Sequence, residues 1–171
     1  MTAFFMRPLR QLAQVFTANE SPRQVAAGFT LGMMIGLLPK GNLVVLLLTL
    51  LLCSLRVNKP AGLLAAAIFS MVGFIFDPVA HQLGAWILVW DTARPLHSWL
   101  YELPMGPWLG LNNTVVVGQL LVGFYLIYPT YWFAHKFVSL LQPRLTKWLS
   151  RYRIIRWLRG AELGSHWRVD A

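Results

Sequence analysis

Two long apolar runs, over 24–55 and 60–90, occupy the first half of the chain, and each carries one formal charge near its middle, beside a proline. The pairs are Pro39-Lys40 and Asp77-Pro78. Proline removes a backbone donor and clashes with the preceding helical turn, so each pair predicts a break. A charge at membrane depth is tolerated only where it meets water, a counter-charge or freed carbonyls. The pattern therefore predicts an all-α integral membrane protein. Its elements are a helical hairpin over 22–55, a Pro-broken segment over 60–90, a loop over 91–113, one clean span over 114–134, and amphipathic interfacial helices at both ends, over 1–20 and 135–171.

Local signals place these elements. Ser21-Pro22 is a helix start, serine capping and proline at the first helical position. A helix over 22–38 is about 25 Å long, slightly short of a ~30 Å hydrocarbon core, so it nearly spans or re-enters. On it Gly28, Gly32 and Gly36 recur every fourth residue and leave a groove for close helix packing. The leucine-rich helix over 43–55 returns after the turn Pro39-Lys40-Gly41-Asn42, and the glycine groove is expected to be the hairpin's internal contact, with a partner's transmembrane helix or a lipid chain as the alternative occupant. Asn112-Asn113-Thr114 supplies a cap for the span, which Pro129 is able to kink. Leu9, Leu12, Ala13 and Phe16 give the N-terminal helix its apolar face. Leu145, Trp148, Leu149, Tyr152 and Ile155 do the same after Pro143.

Composition agrees with the pattern. Hydrophobic residues make up 57% and charged residues 12% of 171, with mean hydropathy +0.55, whereas soluble domains carry roughly 25% charged residues. Fifteen Lys plus Arg against six Asp plus Glu give a net charge of +9. Because the basic residues flank lipid-length runs, the positive-inside rule and anionic headgroups explain them better than nucleic acid does. Arg23, Arg56, Lys59 and Lys136 mark the cytoplasmic side. The loop over 91–113, with Asp91, Glu102, Trp90, Trp99, Tyr101 and Trp108 in or beside it, marks the periplasmic side. Both termini are then cytoplasmic, and Arg144, Lys147, Arg151, Arg153, Arg156 and Arg159 anchor the C-terminal segment to the leaflet. Polar residues intervene before the first long run and no cleavage site follows, so the N-terminus is expected to be retained.

Candidate chemistry is sparse. Lys40 and Asp77 each lie about 17 residues beyond a cytoplasmic mark, hence at a similar depth of roughly 25 Å, and they have opposite sign. His81 follows Asp77 by one turn on the same face, which suits a proton relay or a phosphate-bearing headgroup beside Lys40. Lys40, Asp77 and His81 are the candidate ligand-binding residues; the competing reading puts both charges in turns at the wet boundary and gives His81 a structural role. Cys53 stands alone within an apolar run, so no disulfide or Cys/His metal spacing exists. No nucleophile with a base and no paired carboxylates occur, and neither enzyme activity nor a cofactor is expected.

Ser21-Pro22, the glycines at 28, 32 and 36, Pro39 with Gly41, Asn58 with Pro60, and Asp77-Pro78 followed by Gly84 resemble an uncharacterised bacterial family of small inner-membrane proteins. The likeness covers about 21–88, and Asn112-Asn113-Thr114 to Gly118 is similar to a subgroup. The wider family commonly has Asn-Pro where this chain has Asp77-Pro78. The resemblance implies an inner-membrane location and a cell-envelope role, since some relatives lie beside large periplasmic lipid-bridging proteins or sugar-transferring enzymes. The expected function is a non-enzymatic component of lipid handling, partnered by membrane lipids and a large single-span periplasmic protein. The alternatives are an autonomous transporter or channel for an ion or lipid-linked sugar, and a scaffold for an envelope enzyme.

Overall fold

A computed structural model describes residues 21–149, with side chains to Gln142. The elements are α1 (Pro22–Leu37), α2 (Leu43–Ser54), α3 (Lys59–Val89), a 3-10 turn (Asp91–Ala93), α4 (Arg94–Glu102), a second 3-10 turn (Gly106–Leu109) and α5 (Thr114–Leu149). Among the described residues every regular element is helical. Of these helices, α3 and the 114–142 part of α5 are long and apolar enough to cross a membrane. The expected interfacial helix over 1–20 and the basic residues Arg151, Arg153, Arg156 and Arg159 lie outside the described residues.

Caps set the starts of the helices, at Ser21 as the sequence indicates and also at Asn42 and Asn58. Ser21 accepts from the Gln24 amide while the Gln24 side chain accepts from the Ser21 backbone N–H, a reciprocal capping box. Asn42 caps α2 through the Val45 amide at 2.8 Å, and Asn58 caps α3 through the Ala61 amide at 2.7 Å. Between α1 and α2, Gly41 takes φ +95°, a left-handed conformation that favours glycine.

The glycine face of α1 does not serve the hairpin. A Cβ on Gly28 would strike the Asn58 carbonyl, one on Gly32 the Gly62 carbonyl, and one on Gly36 the Ala66 carbonyl at 2.7 Å. The partners advance in step, four residues at a time, so α1 and α3 run parallel with their backbones in contact. The reason is side-chain size: α3 offers Gly62, Ala65 and Ala66, whereas α2 is leucine and valine nearly all round and has no small face to meet a glycine groove. Of α2, only Leu52 is buried, and it packs over Gly62. Asn58 is 1% exposed because it joins this contact, its N–H donating to the Gln24 carbonyl at 3.1 Å.

Nor does Asp77-Pro78 break the second run, which is one helix through Pro78. An internal proline forfeits the bond to the Phe74 carbonyl, but packing against α1 and α5 fixes the helix on both sides of it. Likewise α5 runs through Pro129 and Pro143 to Leu149, so the expected boundary between a span ending at 134 and a separate amphipathic segment is absent from the backbone. Arg144 and Lys147 lie on this continuous helix.

Antiparallel to α3, α5 meets it at a second small-residue crossing. A Cβ on Gly84 would overlap the Thr114 carbonyl, and one on Gly118 the Ala80 carbonyl. Farther along, α1 wedges between α3 and α5. Met33, Met34 and Leu37 form the core there, flanked by Leu48, Phe69, Leu120 and Leu126, while Val25, Ala61 and Val138 close the other end. The outward faces carry large apolar side chains, with Phe74 and Tyr125 both 82% exposed.

Gly32→Ala is expected to lower the unfolding free energy in mild detergent by roughly 2–3 kcal/mol, because backbone rather than a movable side chain opposes the added methyl. Leu47→Ala, on the exposed face of α2, should change it by less than about 0.5 kcal/mol. Equal losses in the two variants would remove the glycine crossing as the packing centre.

Candidate functional site

The structure separates the charges that the sequence places at equal depth. Lys40 turns back on its own helix, where Nζ donates to the carbonyls of Ile35 at 2.6 Å, Gly36 at 3.0 Å and Leu38 at 3.0 Å. The ammonium thus satisfies the orphaned carbonyls at the α1 C-terminus, where the helix dipole also favours a cation. Lys40 lies outside both long apolar helices, and desolvation at this helix end lowers its pKa from the ordinary lysine value. No ion pair links it to Asp77; among the described residues only Arg94 and Asp91 pair, at 3.4 Å.

Asp77 instead accepts a hydrogen bond at Oδ1 from Nε2 of Gln119 on α5. The same Nε2 lies 3.5 Å from the Gly73 carbonyl, one turn earlier on α3. Gln119 is 3% exposed, and its Oε1 is buried without a partner. One turn beyond Asp77, His81 is hydrogen-bonded through Nδ1 to Thr114 Oγ1 at 2.5 Å, not to Asp77. The resulting polar seam follows the α3–α5 crossing between Gly73 and Thr114. Of the three candidate residues, Asp77 and His81 share this seam and Lys40 does not. Gln119 was not singled out from the sequence; the available signal was an amide five residues into an otherwise apolar helix, a position where a polar side chain has to find an interhelical partner.

A second feature is apolar. Where α1 wedges α3 and α5 apart, a groove of about 210 Å³ opens, lined by Val25, Phe29, Leu64, Ala134, Phe137 and Val138 among others. An adjoining recess of about 470 Å³ shares Phe29 and Phe133 and extends to Phe69 and Pro129. Its polar contribution is minimal: Thr130, whose hydroxyl donates to Met33 Sδ at 3.1 Å. Such a lining suits a hydrocarbon chain. Among the described residues no group of three or more His, Cys, Asp or Glu is placed to hold a metal ion.

The family model described as "Uncharacterized protein conserved in bacteria (DUF2062)" matches residues 6–147. The chain belongs to this family. A protein of Treponema pallidum (strain Nichols) described as "Uncharacterized protein" is 30% identical over 126 residues, covering 74% of this chain and 78% of its own length. No solved structure matches the chain. The DUF2062 match spans both the glycine crossing and the polar seam, and it carries no assigned chemistry for either.

Lys40→Met removes the donor from three carbonyls, and amide-exchange protection in the last turn of α1 is expected to fall about fivefold, equivalent to ~1 kcal/mol. Lys40→Arg should restore most of it. Unchanged protection in Lys40→Met would show that the cap carries no energy.

Proposed function

We propose that this chain is a multi-pass protein of the bacterial cytoplasmic membrane that handles lipid without transforming it. The observation that carries the reading is the groove over Phe29, apolar in lining and open sideways to the surroundings, where an acyl chain would lie. Two further observations support the membrane orientation. The bundle gathers Arg23, Lys59 and Lys136 at one end, because the start of α1 meets the start of α3 and Val25 packs with Ala61 and Val138. Lys136 Nζ sits 4.4 Å over the Trp132 ring, as a snorkelling cation beside an interfacial indole would. At the other end Trp86 stacks on Trp90, close to exposed Trp99 and Trp108 in the connecting segment. By the positive-inside rule the first end is cytoplasmic and the second periplasmic.

The function is that of a non-enzymatic component of the cell envelope, acting with a larger periplasmic lipid-bridging protein. Gly28, Gly32 and Gly36 are occupied by α3, so such a partner meets other surfaces. The exposed leucines of α2, Leu46, Leu47, Leu50 and Leu51, offer one.

In a cysteine-free background, made by Cys53→Ala, a cysteine at Ser98 should react with an impermeant thiol reagent from the periplasm and one at Arg56 should not; the reverse labelling inverts the topology. Purified in native-lipid nanodiscs, the wild type should retain phospholipid through detergent exchange. Leu64→Trp, which lays an indole across the groove, should retain about tenfold less, equivalent to ~1.4 kcal/mol. Equal retention by a folded Leu64→Trp protein would sink the acyl-chain reading.

A further inference from the structure

Two lysines of the described residues are used in opposite ways. Lys40 commits its ammonium to three carbonyls, whereas Lys136 Nζ stands 4.4 Å over the Trp132 ring and meets no carboxylate. Between Thr114 and Gln142, Lys136 is the one Lys, Arg, Asp or Glu of α5, and it sits at the rim of the apolar groove. Trp132, one turn earlier, lines the recess, and the stacked rings of Phe133 and Phe137 line the groove. The fold supplies this ammonium with no counter-charge. The acidic residues of 21–149 are Asp77, Asp91 and Glu102, all in the second half of α3 or after it. Arg23, Arg56 and Lys59 likewise have no acidic partner among the described residues.

We infer that the groove and Lys136 form a binding site for one phospholipid of net negative headgroup charge, entering from the cytoplasmic leaflet. The inference rests on the lipid-handling reading and its orientation, and adds to them the class of lipid. One acyl chain lies along Val25, Phe29, Leu64 and Phe69, a path that follows α3 for about 12 Å from Ala61 to Phe69. The headgroup phosphate accepts from the Lys136 ammonium. Charge fixes which way round the lipid lies. Past Phe69 the next ionisable group on α3 is Asp77, whose carboxylate repels a phosphate, so the headgroup lies at the end where Arg23, Lys59 and Lys136 gather.

The same charge pattern selects among phospholipids. A zwitterionic headgroup brings an ammonium of its own beside the phosphate, and at this end of the described structure it meets four cations and no acid. An anionic headgroup carries no such penalty. Basic residues at a membrane surface attract anionic lipid in any case, but that attraction is shared among all of them. The groove makes the difference, because it holds the chain of the same molecule whose phosphate Lys136 meets. A built site therefore depends on Lys136 more than on Lys59, which is outside the groove lining.

The test is native mass spectrometry of the full chain, equilibrated in mild detergent with equal amounts of phosphatidylglycerol and phosphatidylethanolamine of identical acyl chains. The wild type is expected to hold phosphatidylglycerol over phosphatidylethanolamine by about tenfold, and Lys136→Gln should cut that preference about fivefold, the contribution of one basic residue beside an anionic headgroup. Lys136 is exposed, so this variant should fold. Lys136→Arg should keep the preference, and Lys59→Gln should change it by less than about twofold, as a screened charge away from the phosphate does. Leu64→Trp should lose both lipids. An absent preference in the wild type, or equal losses in Lys59→Gln and Lys136→Gln, would overturn the inference; if Leu64→Trp still loses lipid, the acyl-chain reading survives that result. Equal retention of both lipids by a folded Leu64→Trp protein would overturn the acyl-chain reading and this site with it.

Discussion

The contact on which the remaining structure depends is the approach of two backbones, α1 against α3, at Gly28–Asn58, Gly32–Gly62 and Gly36–Ala66. In the membrane location proposed here, hydrocarbon surrounds the helices and offers no hydrophobic preference for helix over lipid, so packing and interhelical hydrogen bonds must supply the attraction. Glycine allows the helix axes to close until carbonyls fill the space a side chain would take. That brings a 16-residue helix, too short to stand alone as a span, alongside one of 31 residues, with ten of the sixteen buried. Because α1 ends near Gly73, the far half of α3 is left to α5, which meets it through Ala80, Gly84, Thr114 and Gly118. Both the groove and the polar seam follow from this difference in length. Where α1 is present it wedges α3 from α5 and leaves the recess over Phe29; where it has ended, α3 and α5 touch and enclose Gln119.

Much of this was legible locally and little of it tertiarily. The caps at Ser21 and Asn113 and the turn at Gly41 are short-range chemistry, each fixed by residues within a few positions, whereas Asn42 and Asn58 read as turn and loop residues and prove to be caps. The periodic glycines announced a close packing but not with what. Connectivity favours the next helix, whereas side-chain size selects α3, whose matching Gly62 is inconspicuous in a small and apolar stretch. Pro78 misled in the opposite sense. In an isolated helix it costs ~3 kcal/mol, yet packing on both sides of the proline outweighs that local penalty.

The charges show why equal depth and opposite sign do not make a pair. Lys40 finds three carbonyls within five residues of itself, so its desolvation is compensated without any partner from another helix. Reaching Asp77 would strip those carbonyls of their donor at a helix end where the dipole already favours the cation. Asp77, lacking comparable local donors because helical N–H groups are committed to the ladder, has to be served by a side chain from a neighbouring helix. The amide of Gln119 does this. It was legible only as a polar residue in an apolar run, and its importance comes from burial that no single-helix pattern encodes.

The groove starts at the Val25–Val138 end of the bundle, and its adjoining recess reaches Phe69, one turn before Gly73, where the seam begins. The Arg23–Lys136 end carries the acyl-sized recess beside residues that attract anionic headgroups, while the tryptophan-rich end carries the seam. Asp77 follows Phe69 of the recess by about 12 Å along the helix axis, so recess and seam are successive stretches of one element. That element is α3, clamped to α1 in its first half and to α5 in its second. Gln119 ties α5 to α3 at Gly73 and Asp77, and beyond that tie α1 enters between the two helices and the recess opens.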